Sequence, residues 1–123
     1  FDESRLAPDE FSAIFTGDLG YEGSGILVDF LRARGIDIGK VHRDCGLMIY
    51  DRERQDVHAG GSGCGCSACV LQGYILDELR KGRLRDILFV ATGAMMNQAS
   101  LQQGLTIPGI AHLVRISASE VTK

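Results

Sequence analysis

The sequence GGSGCGCSAC at residues 60–69 brings together three of the chain's four cysteines and four of its glycines. Because glycine has no Cβ atom and reaches positive φ, this stretch predicts a tight turn with close backbone contacts. Ala68 and the apolar residues after it recur at helical spacing, so a helix follows the turn directly. A glycine-rich turn before a helix directs free backbone N–H groups outward, usually toward an anion. The stretch therefore predicts a turn, a helix start and a candidate binding site at one place.

On the N-terminal side of this stretch, the pattern predicts a strand, a helix and a second strand. Residues 9–17 are rich in apolar residues and read as a buried strand that ends in a turn. Ser24 is a suitable N-cap for the helix, and Gly35 is a suitable C′ residue. Residues 45–50 are predicted to form the second strand.

On the C-terminal side, the pattern predicts a helix and two more strands. The helix begins within residues 63–66 and ends at Gly82. Residues 87–91 are a continuous apolar run, which is typical of a strand buried on both faces. A polar loop over residues 95–109 leads to a last strand at residues 110–116, antiparallel to its neighbour. The order β-α-β-α-β-β favours parallel neighbours joined by right-handed crossovers, in an α/β fold.

The composition sets limits on class and compartment. The chain has 123 residues, enough for one domain, and 45% of them are hydrophobic, which disfavours disorder. Its net charge of −3 gives no electrostatic reason to expect nucleic-acid binding. No apolar run approaches the roughly 20 residues that a membrane-spanning helix needs. The three clustered cysteines, Cys64, Cys66 and Cys69, are too close for a disulfide framework, so a reduced, intracellular setting is expected.

Three interpretations of the clustered cysteines stay open. Their C-x-C-x2-C spacing suits thiolate ligands for zinc or an iron–sulfur cluster. A closed zinc site needs a fourth ligand, and the remaining candidates are Cys45, His42 and His58. The second interpretation is that they are small apolar residues that let a helix start pack tightly. The third is a reactive thiol whose pKa is lowered at a helix N-terminus. Since the chain has no second C-x2-C pair, no metal is expected.

Two polar residues outside the cluster are also candidates. Asp18 follows the first strand and either caps the turn there or lines a pocket. His112 lies between a Pro-Gly turn and the last strand, where it is either a structural hydrogen-bonding group or a ligand contact.

Five ordered motifs resemble the stage V sporulation protein AD family, which belongs to the thiolase-like superfamily. They are Thr16-Gly17-Asp18-Leu19-Gly20, Asp44-Cys45-Gly46, Gly61-Ser62-Gly63-Cys64-Gly65-Cys66-Ser67-Ala68, Thr92-Gly93-Ala94 and Ile107-Pro108-Gly109-Ile110-Ala111-His112. The resemblance covers residues 11–116. Residues 76–84, with the apolar strand and Gly93 after them, are more weakly similar to ketoacyl synthases.

The resemblance implies a fold, and it implies that this chain holds only part of that fold. It implies a single domain over residues 1–123, the C-terminal half of a thiolase-like fold, with a mixed β-α-β-α-β-β sheet and helices packed on it. The N-terminal half would lie outside this chain. Such a half should leave apolar side chains for another chain or a second copy to cover, and the expected ones are Ile14, Ile49, Phe89 and Val90.

The resemblance also implies a function. It implies a non-catalytic protein of spore formation and germination that binds dipicolinate (pyridine-2,6-dicarboxylate) for its uptake into, or release from, the spore. No cofactor, metal or nucleic acid is implied. The implied partners are the rest of the fold or another subunit, and membrane proteins of the same sporulation operon, which would hold the protein peripherally on the inner membrane of the spore or forespore. The ligand-binding residues expected are His112, Ser62, Gly63, Cys64, Cys66 and Asp18.

The alternative is the C-terminal half of an acyl-transferring enzyme of the thiolase or ketoacyl-synthase type. His112 would then act as an acid or base, with Cys64 or Cys66 near the acyl group. Ketoacyl synthases use an asparagine from the region of the clustered cysteines. No asparagine lies between Arg43 and Met96, which argues against carbon–carbon condensation.

Overall fold

A computed structural model of the chain describes residues 6–94 and 97–118. Within these ranges the strands are β1 (Ala13–Thr16), β2 (His42–Asp44), β3 (Asp86–Ala94) and β4 (Gly109–Ser117). They form one four-stranded sheet in the order β2-β1-β3-β4. β1 is parallel to both β2 and β3, and β4 is antiparallel to β3. The fold is therefore α/β with a mixed sheet, and the antiparallel last strand is confirmed.

Helices connect the strands. They are α1 (Gly20–Arg32), α2 (Cys45–Met48), α3 (Cys66–Val70), α4 (Leu76–Arg80) and α5 (Gln98–Gln102), with a 3-10 turn at Pro8–Glu10. A π-helical segment, Leu71–Ile75, joins α3 to α4. In the part of the chain that the structure describes, no helix has the length and apolarity to span a bilayer.

Apolar cores lie on both faces of the sheet. One contains Phe15, Ile87 and Phe89 from the sheet, packed with Ile75 and Leu79 of the α3–α4 helix. The other lies beneath α1 and includes Ile14, Ile38 and Leu88. The sheet thus sits between two helical layers within this one chain. The expectation that Ile14 and Phe89 need cover from elsewhere is wrong, because they are only 4% and 7% exposed.

Among the described residues, large apolar side chains are exposed on α1, where Ile26 and Phe30 are 70% and 55% exposed, and on β4 with the segment before it. Ile110, Leu113 and Val114 of β4 are each more than half exposed, and β4 lies at the edge of the sheet next to β3. The sequence between Asp86 and Arg115 contains no Asp, Glu, Lys or Arg. This end of the sheet therefore has exposed apolar side chains on β4, and residues 87–114 add no formal charge to it.

The prediction of a strand at residues 45–50 is wrong. The second strand is β2, just before them, and residues 45–48 form α2. A short apolar run suits a strand and a buried helical turn equally, so periodicity cannot decide between them. The close contact of Gly46 with Gly61, where the Gly61 N–H donates to the Gly46 carbonyl at 2.6 Å, requires the chain to turn here.

The start of the first helix also differs from the prediction. α1 begins at Gly20, and Ser24 lies buried within it, not at its N-cap. The donors of the first turn are paired by distant groups. The Asp44 carboxylate accepts from Leu19 and Gly20, and the Ala59 carbonyl accepts from Tyr21. No local sequence signal indicates such a cap.

Other boundaries agree with the sequence. The second long helix begins at Cys66, as predicted, and Gly35 and Gly82 take positive φ just after the ends of α1 and α4. The loop at residues 95–109 contains an unpredicted helix, α5. Its N-cap is Asn97, whose side chain accepts from the Ala99 N–H at 2.9 Å. That capping residue was a usable signal.

Candidate functional site

The carboxyl ends of β1, β2 and β3 meet at one edge of the sheet. Thr16 and Asp44 are register partners there, and Thr92 lies two residues beyond Val90, the partner of Thr16 on β3. In open α/β sheets this edge is where ligands usually bind. The sequence does not by itself show that Thr92 joins the other two, although it ends a predicted buried strand.

Asp44 is the most completely bonded group at this edge. Its carboxylate accepts from the Thr16 hydroxyl at 2.6 Å and from the backbone N–H groups of Leu19 and Gly20, each at 3.0 Å. Asp44 is only 2% exposed. A buried carboxylate with three donors is stable in place, and here it joins β2 to β1 and to the start of α1.

His42 extends this network toward the surface. Its Nε2 lies 2.9 Å from the Thr16 hydroxyl oxygen. Because that hydroxyl donates its proton to Asp44, Nε2 must carry the proton that bonds to Thr16. Burial lowers the pKa of His42, and the nearby Asp44 carboxylate partly opposes this. The His42–Thr16–Asp44 chain is thus a neutral imidazole supporting a buried carboxylate.

Asp18 links the glycine-rich loop to β3. Its Oδ2 accepts from the Gly63 N–H at 2.8 Å, and its Oδ1 accepts from the Thr92 hydroxyl at 3.3 Å. The Asp18 backbone N–H also donates to the Thr92 hydroxyl oxygen, at 3.1 Å. Asp18 therefore contacts two different elements at the strand ends.

Glycines set the path of the loop. Gly60 and Gly63 have φ of +117° and +110°, which side-chain-bearing residues rarely adopt. An added Cβ at Gly46 would overlap the Gly61 carbonyl oxygen, so the backbones are in direct contact there. These contacts hold the glycine-rich loop against the strand ends.

An open cleft of about 1060 Å³ lies between this loop and the ends of β3 and β4. It is lined by Asp18, Leu19, Ser62, Gly63, Cys64, Ser67, Ala91, Thr92, Gly93, Ala94, Gly109, Ile110 and Ala111. Among the described residues, no acceptor pairs with the backbone N–H of Ser62 or Cys64, which both line this cleft. The loop wall of the cleft therefore presents unused donors.

A smaller cleft of about 340 Å³ lies on the other side of the loop. Ile49 and Tyr50 line it together with residues 61–66. The glycine-rich loop thus separates two concave surfaces, and only the larger one reaches β3 and β4.

The structure brings most of the predicted site residues together. Asp18, Ser62, Gly63 and Cys64 line the larger cleft. Cys66 is 6% exposed and lines the smaller one.

His112 stands apart from that group. It is exposed on β4 opposite Ala91, which lines the larger cleft, but among the described residues His112 lines neither cleft.

The thiols fall into two classes. Burial, with a contribution from the Asp44 carboxylate, raises the pKa of Cys45 to about 12. Burial and Asp18 likewise raise the pKa of Cys66, whose Sγ lies 3.9 Å from the Gly17 carbonyl oxygen as a weak donor. Cys64 and Cys69 are exposed and free. Within residues 6–94 and 97–118, no group of three or more His, Cys, Asp or Glu is arranged to hold a metal ion.

Comparison with known proteins agrees with the motifs at this edge. The family model for stage V sporulation protein AD matches residues 1–117. The chain is 46% identical over 112 residues to stage V sporulation protein AD of Bacillus subtilis strain 168, a match that covers 91% of this chain and 33% of that protein. The chain thus spans about a third of the length of the curated relative that it matches. A match of this identity over nearly the whole chain shows that it belongs to the stage V sporulation protein AD family.

Proposed function

We propose that this chain is the C-terminal part of a non-catalytic, thiolase-like protein that binds dipicolinate for its uptake into or release from the spore. Membership of a family named for sporulation supports the setting. The observation that carries the proposal is the larger cleft, where unused backbone donors face an uncharged wall at the carboxyl ends of parallel strands.

Dipicolinate is a planar aromatic ring with two carboxylates. The backbone N–H groups of Ser62 and Cys64, which line this cleft, are donors suited to a carboxylate edge. On the opposite wall, Ile110 and Ala111 offer apolar surface against which a flat ring can lie. The cleft therefore has the two kinds of wall that this ligand needs.

The charge of the ligand needs a further partner. Among the described lining residues there is no Lys or Arg, and Asp18 carries a negative charge. A dianion in this cleft therefore needs a balancing cation from beyond these lining residues. His112, exposed on β4 beside the lining residue Ala91, is the titratable group of this chain that we assign to the rim of the site.

Several features support a non-catalytic role. The buried thiols of Cys45 and Cys66 have raised pKa values, which disfavours the thiolate needed for acyl transfer. Cys64 is exposed in the cleft, but in the described part of the chain no imidazole or carboxylate is hydrogen-bonded to its thiol. Turnover of acyl-CoA by the complete protein at a rate abolished by Cys64→Ser would contradict this part of the proposal.

The proposal extends to cellular location. We place the protein inside the cell, held peripherally on the inner membrane of the forespore through membrane proteins of the same operon. Fractionation of sporulating cells tests this. The protein should move from the membrane fraction to the supernatant when those membrane proteins are deleted, and an unchanged distribution would contradict the assignment.

Titration calorimetry of the complete protein with dipicolinate tests the binding site. Ala111→Leu places a larger side chain on the cleft wall and should lower the affinity at least about tenfold, since the ring loses its surface. Ala99→Leu is the matched control, because Ala99 lies on the exposed helix α5 and does not line the cleft. It should leave the affinity unchanged.

His112→Ala tests the rim assignment separately. Losing one charge-assisted hydrogen bond should weaken binding about 10- to 150-fold, or about 1.5–3 kcal/mol. Unchanged affinity with His112→Ala would remove this residue from the site. No measurable binding by the unsubstituted protein, or equal losses with Ala111→Leu and Ala99→Leu, would contradict the proposed function.

A further inference from the structure

The geometry points to Asp18 as a positioning residue that fixes the separation between the two walls of the larger cleft. Gly63 belongs to the loop wall and Thr92 to the strand wall. One carboxylate bonds to both, since Oδ2 accepts from Gly63 and Oδ1 accepts from Thr92. The effect on dipicolinate affinity rests on the proposed function, whereas the effect on the loop does not.

The Asp18 carboxylate is directed at the protein and not at a ligand. Each of its oxygens already accepts a hydrogen bond from an element of the cleft, and its own N–H donates to Thr92. The negative charge of a carboxylate would also repel a dicarboxylate bound in this cleft. Its role is therefore to hold the donors of the chain, and not to touch the ligand.

The residues next to Asp18 let β1 and β3 come close enough for this contact. An added Cβ at Gly17 would overlap the Thr92 hydroxyl and come within 3.0 Å of the Thr92 nitrogen, so β1 and β3 approach this closely only with glycine there. Cys66, at the start of α3, makes its weak thiol hydrogen bond to the Gly17 carbonyl. The end of β1, the end of β3 and the start of α3 thus converge at residues 17–18.

Fixing Gly63 also orients the donors beside it. Ser62 and Cys64 are its chain neighbours, and their N–H groups are unpaired among the described residues. Because a peptide group is planar, anchoring the Gly63 N–H fixes the orientation of the whole peptide unit between Ser62 and Gly63, to which the units bearing the Ser62 and Cys64 N–H groups are joined. Pre-set donors bind an anion better than mobile ones because less conformational freedom is lost on binding.

The experiment uses the complete family protein that carries this segment, with four variants. Asp18→Ala removes both hydrogen bonds, and Thr92→Val removes one. Asp18→Asn keeps a two-sided contact, because its oxygen can accept from Gly63 while its amide donates to the Thr92 oxygen. Asp29→Ala, on the exposed face of α1, is the control for loss of one negative charge.

Two measurements are made on each variant: amide hydrogen exchange of peptides covering residues 61–66, and dipicolinate affinity by calorimetry. Asp18→Ala should speed exchange of this loop at least about tenfold and weaken affinity about tenfold, with exchange of residues 24–31 unchanged. Thr92→Val should show a smaller effect of the same kind. Asp18→Asn should restore slow exchange, and Asp29→Ala should match the unsubstituted protein.

The inference is overturned if loop exchange in Asp18→Ala stays at the unsubstituted rate. It is equally overturned if Asp18→Asn exchanges as fast as Asp18→Ala, because the charge and not the two-sided contact would then matter. If Asp18→Ala does not fold, Thr92→Val and Asp18→Asn decide by the same loop criterion. If the unsubstituted protein binds no dipicolinate, the proposed function fails while loop exchange still decides the role of Asp18.

Discussion

The edge at which the parallel strands end has a closed part and an open part. In the closed part, at the ends of β1 and β2, Asp44 is buried and accepts three hydrogen bonds. In the open part, where β3 ends and β4 begins, Ile110 is 55% exposed and the cleft wall has backbone donors with no acceptor in the described part of the chain. Both parts are built from strand-end residues of the same sheet.

Comparing the closed and open parts distinguishes polar groups that hold the fold together from polar groups that are available for binding. Asp44 looks like a site residue by position, but all its contacts are within the chain, so it serves the fold. The loop donors have no such partners among the described residues, so they remain available to a ligand. Position at a strand end does not identify a binding group, whereas unused hydrogen-bonding capacity does.

Asp44→Ala should have the largest effect on the closed part. It leaves the Thr16 hydroxyl and the N–H groups of Leu19 and Gly20 without their acceptor, so we expect a loss of about 3–5 kcal/mol in the free energy of unfolding. Chemical denaturation measures it. Asp29→Ala, at an exposed ion pair, should change stability by less than about 0.5 kcal/mol. A loss below about 1 kcal/mol for Asp44→Ala would contradict the description of this part as closed.

Thiol alkylation compares the two parts directly. Cys45 is fully buried with a raised pKa, whereas Cys64 is exposed at the open cleft. Since the thiolate is the reactive form, Cys64 should react at least about 100-fold faster than Cys45 near neutral pH. Mass spectrometry of the native protein after timed iodoacetamide treatment gives both rates. The denatured protein is the control, where the two rates should converge, and equal rates in the native protein would be the contrary result.

Gly46→Ala tests the backbone contact that closes the loop against α2. The new Cβ overlaps the Gly61 carbonyl and comes within 2.9 Å of an Asp44 oxygen, so a loss of about 1–3 kcal/mol is expected. Gly25→Ala is the matched control in α1, where an added Cβ meets no atom within 4 Å. That change should raise stability by about 0.5–1 kcal/mol through helix propensity. Thermal or chemical unfolding should give opposite signs, and a destabilising Gly25→Ala or a neutral Gly46→Ala would refute the contact geometry.

The smallest expected effect is a change in stability with pH that is caused by His42. Burial holds its pKa below the usual value near 6.5, so the unfolded chain binds this proton more readily than the folded one. Its contribution is complete above about pH 6.5 and is lost as the pH falls from there through the folded-state pKa.

The matched variant for this effect is His42→Gln, which keeps an N–H donor for Thr16 but cannot titrate in this range. Free energies of unfolding measured from pH 7 to pH 5 should fall less steeply for the variant. Parallel slopes for the two proteins would show that His42 is not the responsible group.

The elements that sequence alone predicts are those with local signals. The helix start at Cys66 follows from the glycines before it, and the existence of strand β4 follows from its apolar pattern after the turn at Pro108-Gly109. The apolar run at residues 45–50 predicts a strand where the structure has a helical turn, because so short a run has no decisive period. The glycine-rich loop was identified as a candidate site from composition, but its link to Asp18 was not.

The remaining parts depend on contacts distant in sequence. Asp18 meets Thr92 at a separation of 74 residues, and Asp44 meets Gly20 at a separation of 24. No local pattern marks either pair, since each depends on strand order and register. His112 is the opposite case, a residue that a local motif does mark. That motif favours a position in a pocket, whereas the structure places His112 on an exposed strand beside the cleft.

The long-range cap of α1 has a consequence for the order of folding. Its C-terminal turn is closed by a local hydrogen bond, from the Ile36 N–H to the Leu31 carbonyl at 3.0 Å. Its first turn instead depends on distant acceptors, the Asp44 carboxylate and the Ala59 carbonyl. An isolated helix of this length is marginal in water. We therefore expect the N-terminal turn of α1 to become stable only after β2 has docked beside β1.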